Sequence, residues 1–171
     1  MTFELAQVNV GRLVAPLDDP QLADFVAALD PVNAVADSAP GFVWRLQTDD
    51  GNATAVRAFE WDAAGSAGII VNMSVWRDLE HLAAFVYSDV HRQVLRRRRQ
   101  WFQRMQEAYT ACWWVASGHR PSTDEAEDRI LHLRAHGPTA HSFTLHDSYP
   151  PPDAAQSEQP IRGLDDWFCP A

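Results

Sequence analysis

Lysine is absent from all 171 residues, and every one of the fourteen basic side chains is arginine. No lysine amine is therefore available for Schiff-base chemistry. Cysteine is scarce. Cys112 and Cys169 form neither a CxxC pair nor a disulfide framework, which suits a reducing compartment. No apolar run nears the roughly 18 residues that a bilayer span requires. MTFELAQVNV lacks the basic and apolar regions of an export signal. A cytoplasmic chain with no membrane partner is expected. There is no glycine-rich phosphate loop, no GxSxG and no HExxH. His132, His136, His141 and His146 show no metal-ligand spacing, and His119 in its SGHRP loop reads as structural, so no metal is expected.

What is present is globular composition, 46% apolar and 22% charged, which excludes a disordered chain. Two excesses stand out. Seven tryptophans either fill a core or wall a pocket for flat ligands. Arginines cluster from Arg92 to Arg104, although the chain carries a formal charge of −9. Nucleic-acid binding calls for a basic face and a positive balance. This chain has neither, so no nucleic-acid partner is expected.

Along the chain, FELAQVNVGRL reads as a strand closed by Pro16 and Pro20. Leu22, Phe25, Val26 and Leu29 recur at helical spacing after an Asp19 cap with Pro20 in the first turn. Pro31 should kink or break this helix, and Pro40-Gly41 should end it. FVWRLQ, a DDGN turn and residues 55–59 read as a hairpin. GIIVNMSVW is a strand. From Asp78 a helix is expected to about Met105, with a possible break at Ser88-Asp89. AYTACWWVAS is a strand, STDEAEDRILHLRAHG a capped helix, and HSFTLHDSYP a last strand. Residues 1–149 form one domain, and 150–171 a linker and tail in which Trp167 and Phe168 would dock. The order predicts an α+β fold: a ferredoxin-like antiparallel sheet with helices on one face. Its other face would need a partner, most simply a homodimer.

Strand alternation puts Asn72, Ser74 and Trp76 on one face and Val71, Met73 and Val75 on the other. The polar face suits either a ligand cavity or groups that satisfy one another, and the apolar face suits a dimer interface. Either Trp44 or Arg45 should see the cavity. Trp113 and Trp114 must face opposite ways. Leu79, Leu82, Val86, Val90, Val94 and Trp101 form a helical stripe, with His91 at its edge. Four consecutive residues sweep about 300° of a helix, so Arg96–Arg99 cannot all face inward. Arg96 or Arg98 is the candidate anion clamp, and the other arginines are solvated. His91, with an unperturbed pKa near 6.5, suits the abstraction of a phenolic or α-carbonyl proton. It reads equally as a helix-edge histidine.

LAQVNVGRL, GFVWRLQ, VNMSVW, YSDVHRQVLRRRRQWF and CWWVASGHRPS together resemble the DUF3291 family. That family is similar to the antibiotic-biosynthesis monooxygenase-like superfamily of dimeric α/β barrels. The resemblance implies two ferredoxin-like protomers, each with a cavity between sheet and helices. It implies chemistry on an aromatic or polyketide-like substrate in secondary metabolism: cofactor-independent monooxygenation, or cyclisation or isomerisation through an enolate. The alternative is a non-catalytic binding protein for a small ligand or for haem on the same scaffold. Some cofactor-free members place an asparagine and a tryptophan four apart on the central strand, as Asn72 and Trp76 stand here, together with an arginine, for which Arg96 stands. Their tyrosine is not matched: Leu82 occupies the nearest position, and the closest tyrosine is Tyr87. The implied catalytic set is His91, Asn72 and Arg96. The implied substrate contacts are Trp44, Ser74, Trp76, Tyr87, Trp101 and Trp114.

Overall fold

The alternation of FELAQVNVGR places Ala6, Val8 and Val10 on one side and Leu5, Gln7 and Asn9 on the other. It forms strand β1 (Phe3–Arg12) in a computed structural model that describes residues 2–154 and 161–162. β1 is the centre of a four-stranded antiparallel sheet. Its neighbours are β3 (Ile69–Trp76) and β4 (Thr110–Ala116), with β2 (Phe42–Arg45) beyond β3. The spatial order β2-β3-β1-β4 is that of a ferredoxin-like α+β unit. Helix α1 (Ala23–Ser38) joins β1 to β2. The broken pair α2 (Leu79–Val86) and α3 (Asp89–Arg97) joins β3 to β4. Beyond this unit come α4 (Thr123–His136) and a two-residue ribbon of β5 (Asp147–Ser148) with β6 (Ile161–Arg162). Trp167 and Phe168, expected to dock, lie outside the described residues.

Helix starts fall where side-chain acceptors stand. Asp19 accepts from the Gln21 N–H, Asp78 from His81 and Ser122 from Glu125, satisfying donors that the first turn leaves orphaned. The expected break at Pro31 does not occur, because α1 runs through it. Pro31 and Ala27, whose carbonyl loses its donor, are both exposed, so water replaces the missing bond and the helix can bow toward solvent.

The two sheet faces are covered differently. Val8, Val10, Val71, Met73 and Trp113 pack against Ala126, Ile130 and Leu133 of α4, together with Phe59. Leu5, Trp76 and Cys112 pack against Leu82 and Val86 of α2 and against Phe143 and Leu145. The ferredoxin-like unit keeps α1 to α3 on one face, as expected, and α4 covers the other. The Val71-Met73-Val75 face was expected to be a dimer interface, and here the chain's own helix closes it: Met73 and Val75 are 0% exposed in the single chain. An uncovered sheet therefore supplies no reason for a partner. α4 is held in place by a buried carboxylate. Asp62 takes hydrogen bonds from Arg12 (2.6 Å) and from both terminal nitrogens of Arg134 (2.8 and 3.0 Å).

Two further expectations change. Residues 55–59 form no strand. Phe59 adopts a left-handed backbone (φ 56°), is 0% exposed and donates its N–H to Glu127 of α4, so the segment plugs the core instead of extending the sheet. The helix expected to reach Met105 stops early: α3 ends at Arg97, and a 3-10 turn runs from Arg98 to Gln100. Trp101 and Phe102 then turn inward onto Phe25, with ring centroids 5.6 and 5.1 Å away. The Val14 N–H bonds to the Trp101 carbonyl and the Gln103 N–H to the Arg12 carbonyl, so β1 captures the chain and draws it out of the helix.

Candidate functional site

Between the Gln7-Asn9 face of the sheet, α1 and α3 lies a cavity of about 650 Å³. Asn9 and Asn72 are paired across β1 and β3 and both line it. Asn72 is exposed in a strand whose other residues are buried or partly buried. Gly11, two residues on from Asn9, lets the Phe102 ring lie against the sheet, where a Cβ would meet it at 2.7 Å. Helix α3 and the 3-10 turn that continues it contribute His91, Val94, Leu95 and Arg98, residues three, four and seven on from His91 and so stacked on one helical face.

A smaller recess of about 50 Å³ continues inward past His91, Asn72 and Asn33 to Gln7, Ser74 and Trp76. Trp76 is 0% exposed. Its indole N–H donates to the Ser74 hydroxyl (2.9 Å), which donates to the Gln7 amide oxygen (3.2 Å). Phe42 meets the Trp76 ring edge-on at 5.4 Å, and Phe85 stacks on it at 5.0 Å. Of the two readings of the polar face, Ser74 and Trp76 take the internally satisfied one and Asn72 the one that meets the cavity.

The placement of His91 follows from the helix break. α2 ends at Val86, leaving its last carbonyls without helical donors. α3 restarts at Asp89 after Ser88. His91 Nδ1 reaches back to the Val86 carbonyl at 3.1 Å. A carbonyl can only accept, so Nδ1 carries the proton and Nε2 is the basic nitrogen. Burial lowers the His91 pKa and outweighs the Val86 bond, which raises it. The imidazole is neutral at neutral pH, the form a general base requires. The Phe85 ring lies 4.9 Å from it.

Several candidates lie elsewhere. Arg96 is exposed and off the cavity wall; of the two alternatives, Arg98 is the one that lines it. Seven residues separate Arg98 from His91, about two turns, whereas Arg96 is five away and points outward. One terminal nitrogen of Arg98 donates to the Tyr109 hydroxyl at 2.9 Å. Trp44 packs toward the α4-side core, and Arg45 lines the cavity. A register shift between Phe42 and Trp44 breaks simple alternation, so Phe42 and Arg45 both face the helices. Arg45 is occupied, donating to Asp37 at 2.7 and 3.1 Å and to the Gly51 carbonyl. Trp101 is 1% exposed in a core with Leu13, Leu22 and Phe25. Trp114 donates to the Tyr149 carbonyl and sits against Phe143. Tyr87 is half-buried and outside the lining. Trp113 faces α4, donating to Glu125 at 2.7 Å.

Sequence reasoning named Arg45 as one of two alternatives and missed Asn9, Asn33, Phe102 and Tyr109. The signal for Asn9 was there: Val8-Asn9-Val10 and Val71-Asn72-Met73 are matching apolar-Asn-apolar triplets on adjacent strands. Among the described residues no group of His, Cys, Asp and Glu is arranged to hold a metal, and no helix is long and apolar enough to cross a membrane.

No curated protein matches this chain. Two solved proteins share its general arrangement. Rv0793 from Mycobacterium tuberculosis is 14% identical with a TM-score of 0.42, over 70% of this chain and 99% of its own. SnoaB, a cofactor-independent oxygenase from Streptomyces nogalater, is 14% identical with a TM-score of 0.41, over 68% of this chain and 95% of its own. The model of the domain of unknown function DUF3291 matches residues 4–159, nearly all of the sheet and helices described above, and the chain belongs to that family.

Proposed function

We propose that this protein is a cofactor-independent enzyme of secondary metabolism acting on an aromatic or polyketide-like small molecule through an enolate. The observation that carries this reading is His91: a partly buried imidazole on the cavity wall, with Nδ1 on a backbone carbonyl and its pKa lowered by desolvation. Nε2 takes a proton from a phenol, or from a carbon next to a carbonyl, and the electron pair moves onto the substrate oxygen. The carboxamide N–H groups of Asn72 and Asn9 donate to that oxyanion. Returning the proton to a different carbon gives an isomerase, or a cyclase where the enolate carbon attacks within the substrate. With dioxygen as co-reactant, a ring CH2 becomes a carbonyl: one oxygen atom enters the product, and the other leaves as water with the two hydrogens. The cavity volume lies within the range of roughly 300–1,000 Å³ typical of small-molecule sites.

The test is dioxygen uptake and quinone absorbance with dithranol, a tricyclic phenol bearing an acidic CH2. The full chain should accelerate both, and His91→Gln should slow them by about 100-fold, the usual share of a general base. Equal rates for the two proteins would overturn the assignment. A second reading, non-catalytic haem binding, rests on His91 being the only histidine on the cavity wall among the described residues. Its backbone-anchored Nδ1 is the arrangement usual for a metal-ligating imidazole. A Soret band on haem titration, lost in His91→Gln, would favour it.

A further inference from the structure

We infer that the ligand of this cavity is an aromatic molecule bearing a fixed negative charge, a carboxylate, sulfonate or phosphate, held by Arg98, Arg99 and Arg104. The inference rests on the reading of the cavity as the ligand site and adds the charge of what enters it. Of the six arginines between Arg92 and Arg104, these three line the cavity. Arg97 pairs with Asp24 of α1 and lies over Trp101, while Arg92 and Arg96 are exposed and off the cavity wall.

Among the described residues, none of the three has a carboxylate partner; Arg98 donates to the Tyr109 hydroxyl and lies over that ring. Arg45, also on the wall, differs, because Asp37 balances its charge. Among the described residues the one acidic side chain in the lining, Glu107, lies 3.7 Å from Arg12. In a chain of net charge −9, one cavity therefore gathers three guanidinium groups that have no carboxylate partner among the described residues, beside apolar walls such as Phe25, Leu29 and Phe102. Guanidinium forks match carboxylate, sulfonate and phosphate oxygens in pairs. A duplex or peptide would need an extended basic surface, whereas these arginines line a cavity of small-molecule size.

A matched pair of fluorescent probes tests this on the full chain: anilinonaphthalene sulfonate and its uncharged analogue phenylnaphthylamine. The sulfonate should bind at least about tenfold more tightly, since charge-assisted hydrogen bonds are roughly twice as strong as neutral ones. Its affinity should fall with added salt, while that of the neutral probe stays level. Arg99→Gln and Arg104→Gln change exposed side chains and should leave folding intact while each erodes the preference; Arg98→Gln should erode it further. Equal affinity for the two probes, or a preference that survives the combined Arg→Gln variant, overturns the inference and leaves the aromatic cavity standing. Binding of neither probe overturns both the inference and the cavity reading. Loss of dithranol turnover in His91→Gln with the sulfonate preference kept separates base from anion site and supports the inference.

Discussion

Asp62→Ala tests how α4 is kept over the sheet. The Asp62 side chain is 4% exposed and takes three guanidinium hydrogen bonds, from Arg12 at 2.6 Å and from Arg134 at 2.8 and 3.0 Å. Arg12 also donates to the Asp62 carbonyl at 2.8 Å, a bond the substitution keeps. Removing one partner of a buried ionic network costs about 3–5 kcal/mol, chiefly because the remaining charge is stranded. Here the stranded arginines are 18% and 16% exposed and can recruit water, which puts the expected loss near the lower end, about 3 kcal/mol. For a chain of this length that is a fall in Tm of roughly 6–12 °C. Burial pushes the Asp62 carboxyl up, but the bonds from Arg134 and Arg12 outweigh it and hold its pKa below the ordinary value. The network's stabilisation is therefore present above the unfolded-state pKa of about 3.9 and is lost as pH falls through the lower folded value. Denaturant melts of both proteins at neutral pH and near pH 3 provide the assay. A neutral-pH loss under about 1 kcal/mol, within the range of exposed pairs, would refute the reasoning.

Trp76→Phe should cost about 1–2 kcal/mol, because the Ser74 bond goes while the aromatic contacts remain, and Trp76→Ala about 3–5 kcal/mol. Equal losses in urea melts would mean that packing does not dominate. The His91 pKa is lowered in the folded state, so below about pH 6.5 the unfolded chain binds the extra proton and stability declines as pH falls. His91→Gln should flatten that acid slope, read as the difference in Tm between pH 7.5 and pH 5, and a slope unchanged by the substitution would contradict the burial of His91. Because α4 occupies the sheet face through which a barrel dimer would close, light scattering of the full chain should give a mass near 19.2 kDa. Twice that mass at micromolar concentration would show that another face pairs.

The parts of this fold that could be read from sequence are those decided within a few residues. β1, β3 and β4 carry alternation and β-branched runs, and the caps at Asp19, Asp78 and Ser122 lie where short acceptors precede apolar periodicity. The interruption at Ser88 was visible as a local signal too. What escaped was settled by partners distant in sequence. Nothing in TDEAEDRILHLRAH says which sheet face α4 will cover. That is fixed by Trp113 meeting Glu125 and by Asp62 gathering Arg12 and Arg134. Phe59 likewise leaves the strand pattern because Glu127 takes its N–H and the core takes its ring.

The candidate site divides along the same line. The Asn72 face and the His91 position were legible because strand and helix periods are rigid. The choice of Arg98 over Arg96 was legible too, had the count been taken from His91 and not from the run itself. Trp44 was lost to a bulge, which no alternation rule anticipates. Trp101 and Trp114 were lost to a general habit of tryptophan: a large ring serves a core and a ligand wall equally well, and only tertiary packing decides between them. In this chain the largest rings went mostly to the core. Trp76, Trp101 and Trp113 are all at most 1% exposed. Among the described residues the large cavity is left to smaller groups, phenylalanine, asparagine and arginine among them, and its selectivity should therefore depend more on where charge and carboxamides stand than on the stacking of indoles.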